Sequence, residues 1–181
     1  LLAQAEHSID AQAILVTTSR ALAAATLPEL ETQMRTLGRE ATLRESIQHA
    51  RLILVESLEA AFDLANQYAP EHLIAQVENP RTWLPRIRTA GSVFLGAWTP
   101  ETMGDYCSGA NHVLPTYGFA RAYSGLSLND FTRRMTVQEL TIDGLRDLGP
   151  TAIILADLEG LDAHARAVQI RLAQLGGGRA S

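Results

Sequence analysis

Short apolar runs alternate with helix-like periods along the first two thirds of the chain. Ala13-Ile14-Leu15-Val16-Thr17 and Leu52-Ile53-Leu54-Val55 are compact runs with β-branched residues, which predicts buried strands. His72 to Val77 and Gly91 to Gly96 predict two more. Between them the polar signals are those of helix starts and stops. Ser19 can cap a helix that Pro28 is expected to break or restart. Ser57 caps a second, with Leu58, Phe62 and Ala65 on one face and Pro70 at its end. Glu40 to Ala50 predicts a helix, and Trp83 to Arg88 a short one. Continuous apolar strands separated by helices predict an α/β fold with a mostly parallel sheet covered on both faces.

The pattern changes after Gly96. From Trp98 to Gly125 the chain is rich in Gly, Pro, Ser, Asn and Tyr. A loop this long in a compact domain is usually functional. Met135 to Leu140 is compatible with one more short strand, and Asp143 to Leu175 reads as helices. Gly176 to Ser181 reads as a frayed tail. The expected organisation is an α/β part over residues 1–126 and a small, mainly helical part over 127–181.

Composition narrows the chemistry. The net charge of −5 offers no basic field to nucleic acid or anionic membrane. Lysine is absent, which removes Schiff-base catalysis and the lysine-bearing phosphate loop. The single cysteine, Cys107, excludes an internal disulfide and suits a reducing compartment. No run reaches the roughly 18 apolar residues of a membrane helix. The first residue is leucine, inside an apolar-periodic stretch, so the chain is expected to be a fragment of a longer one.

Histidines stand at 7, 49, 72, 112 and 164, and all but His49 have polar neighbours suited to chemistry. His49 reads as surface or packing. Gln4 and His7 are three apart, hence on one helical face if that stretch is helical. An amide oxygen and an imidazole there either share a metal or line a solvated helix end. Glu71 and His72 adjoin at a helix-to-strand junction and offer two bases of different intrinsic pKa. The alternative is a turn with two exposed polar groups. In Gly104-Asp105-Tyr106-Cys107-Ser108-Gly109-Ala110-Asn111-His112, Asp105 and His112 suit a metal or a substrate amine. Cys107 is either a nucleophile toward an aldehyde or a packing residue. Glu159 precedes Gly160, which is expected to keep it outside the helix carrying His164. That pair is either a helix-dipole feature or a pair of long-range donors to a site.

The strings LLAQAEH, YAPEHLI, GSVFLGAWTPETMGDYCSGANHVLPTYG, RRMTVQEL and EGLDAHA, in that order and spacing, resemble histidinol dehydrogenase. The resemblance runs from Leu1 to about Leu175 and corresponds to the carboxy-terminal part of that family. It implies that residues 1–126 are the second half of a Rossmann-like zinc and substrate domain, and that 127–181 serve dimerisation. It implies zinc held by Gln4, His7, Asp105 and, from the other subunit of a homodimer, His164. Glu71 and His72 match the family's catalytic acid–base pair. His112 and Glu159 match residues that contact L-histidinol, as do the zinc ligands and the catalytic pair.

The implied activity is the NAD-dependent, two-step oxidation of L-histidinol to L-histidine through histidinal, in the cytoplasm. The chain has no glycine-rich dinucleotide fingerprint, so NAD contacts are expected outside it and the segment alone is expected to be inactive. Two departures from the family pattern are Ala110, where threonine is common, and Pro28 inside a helix. The pattern does not require Cys107. Other readings are a paralogue that oxidises another polar alcohol and a non-catalytic truncated remnant. His112 and Glu159 favour histidinol over the first, and the intact polar set argues against the second.

Overall fold

The computed structural model describes residues 1–176, so most of the expected frayed tail lies outside the described residues. All four apolar runs form strands: β1 (Ile14–Thr17), β2 (Arg51–Leu54), β3 (His72–Ala75) and β4 (Ser92–Leu95). Every pairing is parallel. The β1–β2 register runs from Ile14 opposite Arg51 to Thr17 opposite Leu54. The β3–β4 register runs from His72 opposite Ser92 to Ala75 opposite Leu95.

The expected single sheet is corrected here: the described strands form two separate two-stranded sheets. Apolar content marks a strand but carries no information about its neighbour, because pairing is a non-local choice. The expected strand at Met135–Leu140 is absent as well. That segment is irregular, with Met135, Val137 and Leu140 all exposed. Extended chain without a partner edge forms no ladder, whatever its propensity.

The helices are α1 (Leu2–Ala5), α2 (Arg20–Met34), α3 (Glu40–Ser46), α4 (Leu58–Tyr68), α5 (Glu101–Tyr106), α6 (Ile142–Leu158) and α7 (Asp162–Gly176). Ser19 caps α2 by accepting from Leu22 N at 3.1 Å, and Ser57 caps α4 by accepting from Ala60 N at 3.1 Å. Pro28 does not break α2, which runs through it. The proline removes only the donor for the Ala24 carbonyl, and both residues are exposed, so water can satisfy that oxygen. Glu40–Ala50 is a shorter α-helix than expected, continued by a 3-10 turn at Ile47–His49. Trp83 lies in another 3-10 turn, Pro80–Arg86, and stacks on Phe62 at 5.0 Å. No described helix is long and apolar enough to cross a membrane.

The described residues fall into two compact units that divide between Thr132 and Arg133. In the first, α1 is anchored by a small core of Leu2, Ala5, Met34 and Leu43, flanked by Leu30 and Ile47. The buried Ser46 hydroxyl donates to Ala5 O at 2.7 Å and so locks α1 onto α3. Leu43 is fully buried in this cluster. Leu43→Ala is expected to destabilise the unit by about 2–5 kcal/mol, through lost apolar transfer and the residual cavity. Denaturant unfolding monitored by circular dichroism checks this.

Asn66 ties α4 to the approach of β4. Its amide donates to Arg86 O at 2.8 Å, and its oxygen accepts from Arg88 N at 2.8 Å and Thr89 N at 3.3 Å. In the second unit α6 and α7 pack closely at Gly149. A Cβ there would lie 3.0 Å from Leu172 Cδ1 and 3.1 Å from Val168 Cγ1.

Candidate functional site

Three pieces of the first unit converge. α1 and the turn after it bring Gln4 and His7, the start of β3 brings His72, and α5 brings Glu101 and Asp105. The expected single helix under Gln4 and His7 is shorter than their spacing. Gln4 lies in α1, and His7 sits just beyond its end, its N–H 3.5 Å from Gln4 O. Glu101 and Asp105 are four apart on α5 and therefore share a face.

α5 is held against β4 by the absence of a side chain. A Cβ on the buried Gly104 would lie 2.6 Å from Phe94 Cε1, a collision that would push α5 outward. The Phe94 ring also flanks the His72 imidazole, with centroids 5.8 Å apart. One aromatic ring thus sets the height of both the imidazole and the acid-bearing helix.

The side chain of His72 is 6% exposed, that of Glu101 7% and that of Asp105 15%, whereas His7 is 53% exposed. His72 Nδ1 lies 3.0 Å from Gln4 Oε1. His72 Nε2 lies 3.9 Å from Asp105 Oδ1, beyond hydrogen-bond length, and is a buried nitrogen without a partner among the described residues. Glu101 Oε1 stands 3.6 Å from both His7 Nε2 and His72 Nδ1. A buried carboxylate beside an orphaned imidazole nitrogen is costly unless a cation or a polar ligand completes it.

The donor set fits a divalent metal. His7, Glu101 and Asp105 each offer one ligand atom, all within 4.8 Å of one another. Two atoms bound to one tetrahedral zinc at about 2.0–2.2 Å lie about 3.3–3.6 Å apart, so the group must draw in by up to about 1.5 Å to share one ion. Nitrogen and oxygen donors suit zinc, and also manganese or cobalt.

Of the residues singled out in the sequence, Gln4, His7, His72 and Asp105 meet in this cluster. Glu71 directly precedes β3 and is partly buried, and its backbone oxygen accepts from Ser92 N at 2.8 Å. Its carboxylate makes no ion pair or hydrogen bond among the described residues. His112 is exposed in the loop after α5 and is likewise unlinked to the cluster. Cys107 is exposed at the end of α5. His49 is exposed.

Glu159 and His164 belong to the second unit, both exposed. Glu159 caps the end of α6, and Gly160, with φ +70°, separates it from α7 as expected. Glu101 was missed in the sequence reading. The available signal was its spacing of four from Asp105, directly after Pro100.

The family model described as histidinol dehydrogenase matches residues 1–172. A curated histidinol dehydrogenase of Haemophilus influenzae is 53% identical over 175 residues, covering 97% of this chain and 41% of that protein. One from Vibrio cholerae is 51% identical over the same shares. The crystal structure of histidinol dehydrogenase from Elizabethkingia anophelis superposes with a TM-score of 0.94 at 43% identity, covering 97% of this chain and 41% of that one. Sequence and backbone concur, and the chain belongs to the histidinol dehydrogenase family, spanning about two fifths of the length of the relatives it matches.

Proposed function

We propose that the chain is the metal- and substrate-binding part of an NAD-dependent enzyme that oxidises L-histidinol to L-histidine through histidinal. The observation that carries this reading is the buried, unpaired Nε2 of His72 beside Asp105. Gln4, His7 and Asp105 would hold zinc together with His164 of the partner subunit. When bound, zinc supplies a Lewis acid that fixes the amine and imidazole of the substrate. NAD supplies the two-electron acceptor for each oxidation, with its contacts assigned to residues outside this segment.

The residues of this chain handle the protons. His72 Nε2 is the base that takes the hydroxyl proton as the alcohol becomes the aldehyde. Glu71 draws a proton from the water that adds to the aldehyde carbon. His72 serves again as base as the hydrated aldehyde becomes the acid. His112 and Glu159 read the polar groups of the substrate. Two oxidations remove four electrons, so two equivalents of NAD are consumed per histidine.

The half-of-a-Rossmann-like-domain assignment for the first part and the dimerisation role of the second belong to this same reading. Exposed Leu148, Ile154, Leu155 and Leu158 on α6 support an interface between two copies, because apolar side chains concentrated on one helix usually mark a contact surface. The cytoplasm, where a lone thiol stays reduced, is the compartment it implies.

The test is turnover by the complete enzyme that contains this segment, offered L-histidinol, histidinal and a panel of other amino alcohols and polar alcohols. Reduction of two NAD per histidinol, with the other alcohols far slower, is the expected result. Indifference to histidinol alongside turnover of another alcohol would replace the substrate, and no turnover of any would replace the activity.

A further inference from the structure

We infer that Glu101 is a positioning residue for His72, holding the imidazole as the tautomer with its proton on Nδ1 and its lone pair on Nε2. This rests on the reading of His72 as the base. The imidazole is enclosed by two oxygens on its Nδ1 side, Gln4 Oε1 at 3.0 Å and Glu101 Oε1 at 3.6 Å. An ionised carboxylate can only accept, so it favours a proton on the nitrogen facing it. The opposite tautomer would set the Nδ1 lone pair against both oxygens and aim the Nε2 proton into a space without an acceptor in hydrogen-bond range.

Gln4 alone does not fix this choice. Its amide can present either its oxygen or its nitrogen to Nδ1, whereas a carboxylate presents oxygen either way. Gln4 is also a proposed metal ligand. When its oxygen is turned to a metal, Glu101 Oε1 is the oxygen that remains beside Nδ1, acting at 3.6 Å through its charge rather than through a hydrogen bond.

Glu101 lacks the usual reasons for a buried acid. Its ion-pair partners among the described side chains are two imidazoles and no arginine, and it accepts no hydrogen bond among the described residues. Its place is nonetheless firmly built. The Gly104–Phe94 contact holds α5 against β4, and the same Phe94 ring flanks His72. An acid aimed at the far nitrogen of a base fixes both its ring orientation and its tautomer, a relation distinct from touching substrate.

The test uses the complete enzyme carrying Glu101→Gln, which preserves size, and Glu101→Ala. The readouts are kcat, KM for histidinol, zinc content, and the ring-nitrogen NMR shifts of His72 after 15N-histidine labelling. The expected result is a fall in kcat of about 10–100-fold, the range for such outer partners, with little change in KM and zinc retained. The Nδ1–H signature of His72 should give way to a mixture of tautomers. Unchanged kcat with an unchanged Nδ1–H signature would overturn the inference. So would an activity loss that follows zinc loss and is reversed by added zinc, because Glu101 would then serve the metal. His72→Asn separates the two levels. If it retains kcat, the base reading itself fails. If it loses kcat while both Glu101 variants keep theirs, only the role of Glu101 fails.

Discussion

Replacing His72 by asparagine in the complete enzyme is expected to lower kcat by about 10²–10⁴-fold, the contribution of a well-placed general base. Nε2 is the one buried side-chain nitrogen or oxygen without a partner among the described residues, and it faces Asp105 across 3.9 Å. Packing does not require a nitrogen there, and burying one without a partner costs free energy unless a bound ligand completes it. Asparagine can still meet Gln4 through its amide but has no atom at the position of Nε2. Zinc should stay bound, because no ligand role is assigned to this ring nitrogen. Steady-state kinetics with zinc analysis decide it. A kcat within tenfold of the parent enzyme would remove His72 from the proton path.

The second large effect is expected from Asp105→Ala, which removes a proposed zinc ligand. Outer partners of metal sites already change affinity or activity by about 10–100-fold, and loss of a direct carboxylate ligand should exceed that range. Asp105 lies on α5 and takes no part in the Gly104–Phe94 contact, so its truncation is expected to leave α5 seated against β4. Competition with a chelator, followed by metal analysis, gives the affinity, and circular dichroism reports the fold. Zinc retained at parental affinity would rule out Asp105 as a ligand. Glu101→Gln is the contrasting variant, expected to keep zinc while losing turnover. Since His7, Glu101 and Asp105 all offer atoms within 4.8 Å of one another, only this contrast separates the ligand from the positioning acid.

The candidate site was only partly legible along the chain. Gln4, His7, His72 and Asp105 stood out because each is a donor in a recognisable local string, and the structure brings them together. Glu101 did not, because a single acid after proline looks like an ordinary first-turn helix residue. It gains meaning only where α5 seats against β4 and brings the acid to two imidazoles.

Local pattern alone determined where β1 to β4 lie, that Ser19 and Ser57 begin helices, and that Gly160 separates α6 from α7. These depend on side-chain periodicity, capping and backbone freedom within a few residues. Only the tertiary structure decided that the strands form two pairs, that α2 passes through Pro28, and that Met135–Leu140 finds no ladder. It also decided which nitrogen of His72 is left without a partner. Each of those outcomes turns on a neighbour distant in sequence or on access to water, and neither is encoded in the spacing of residues along one segment.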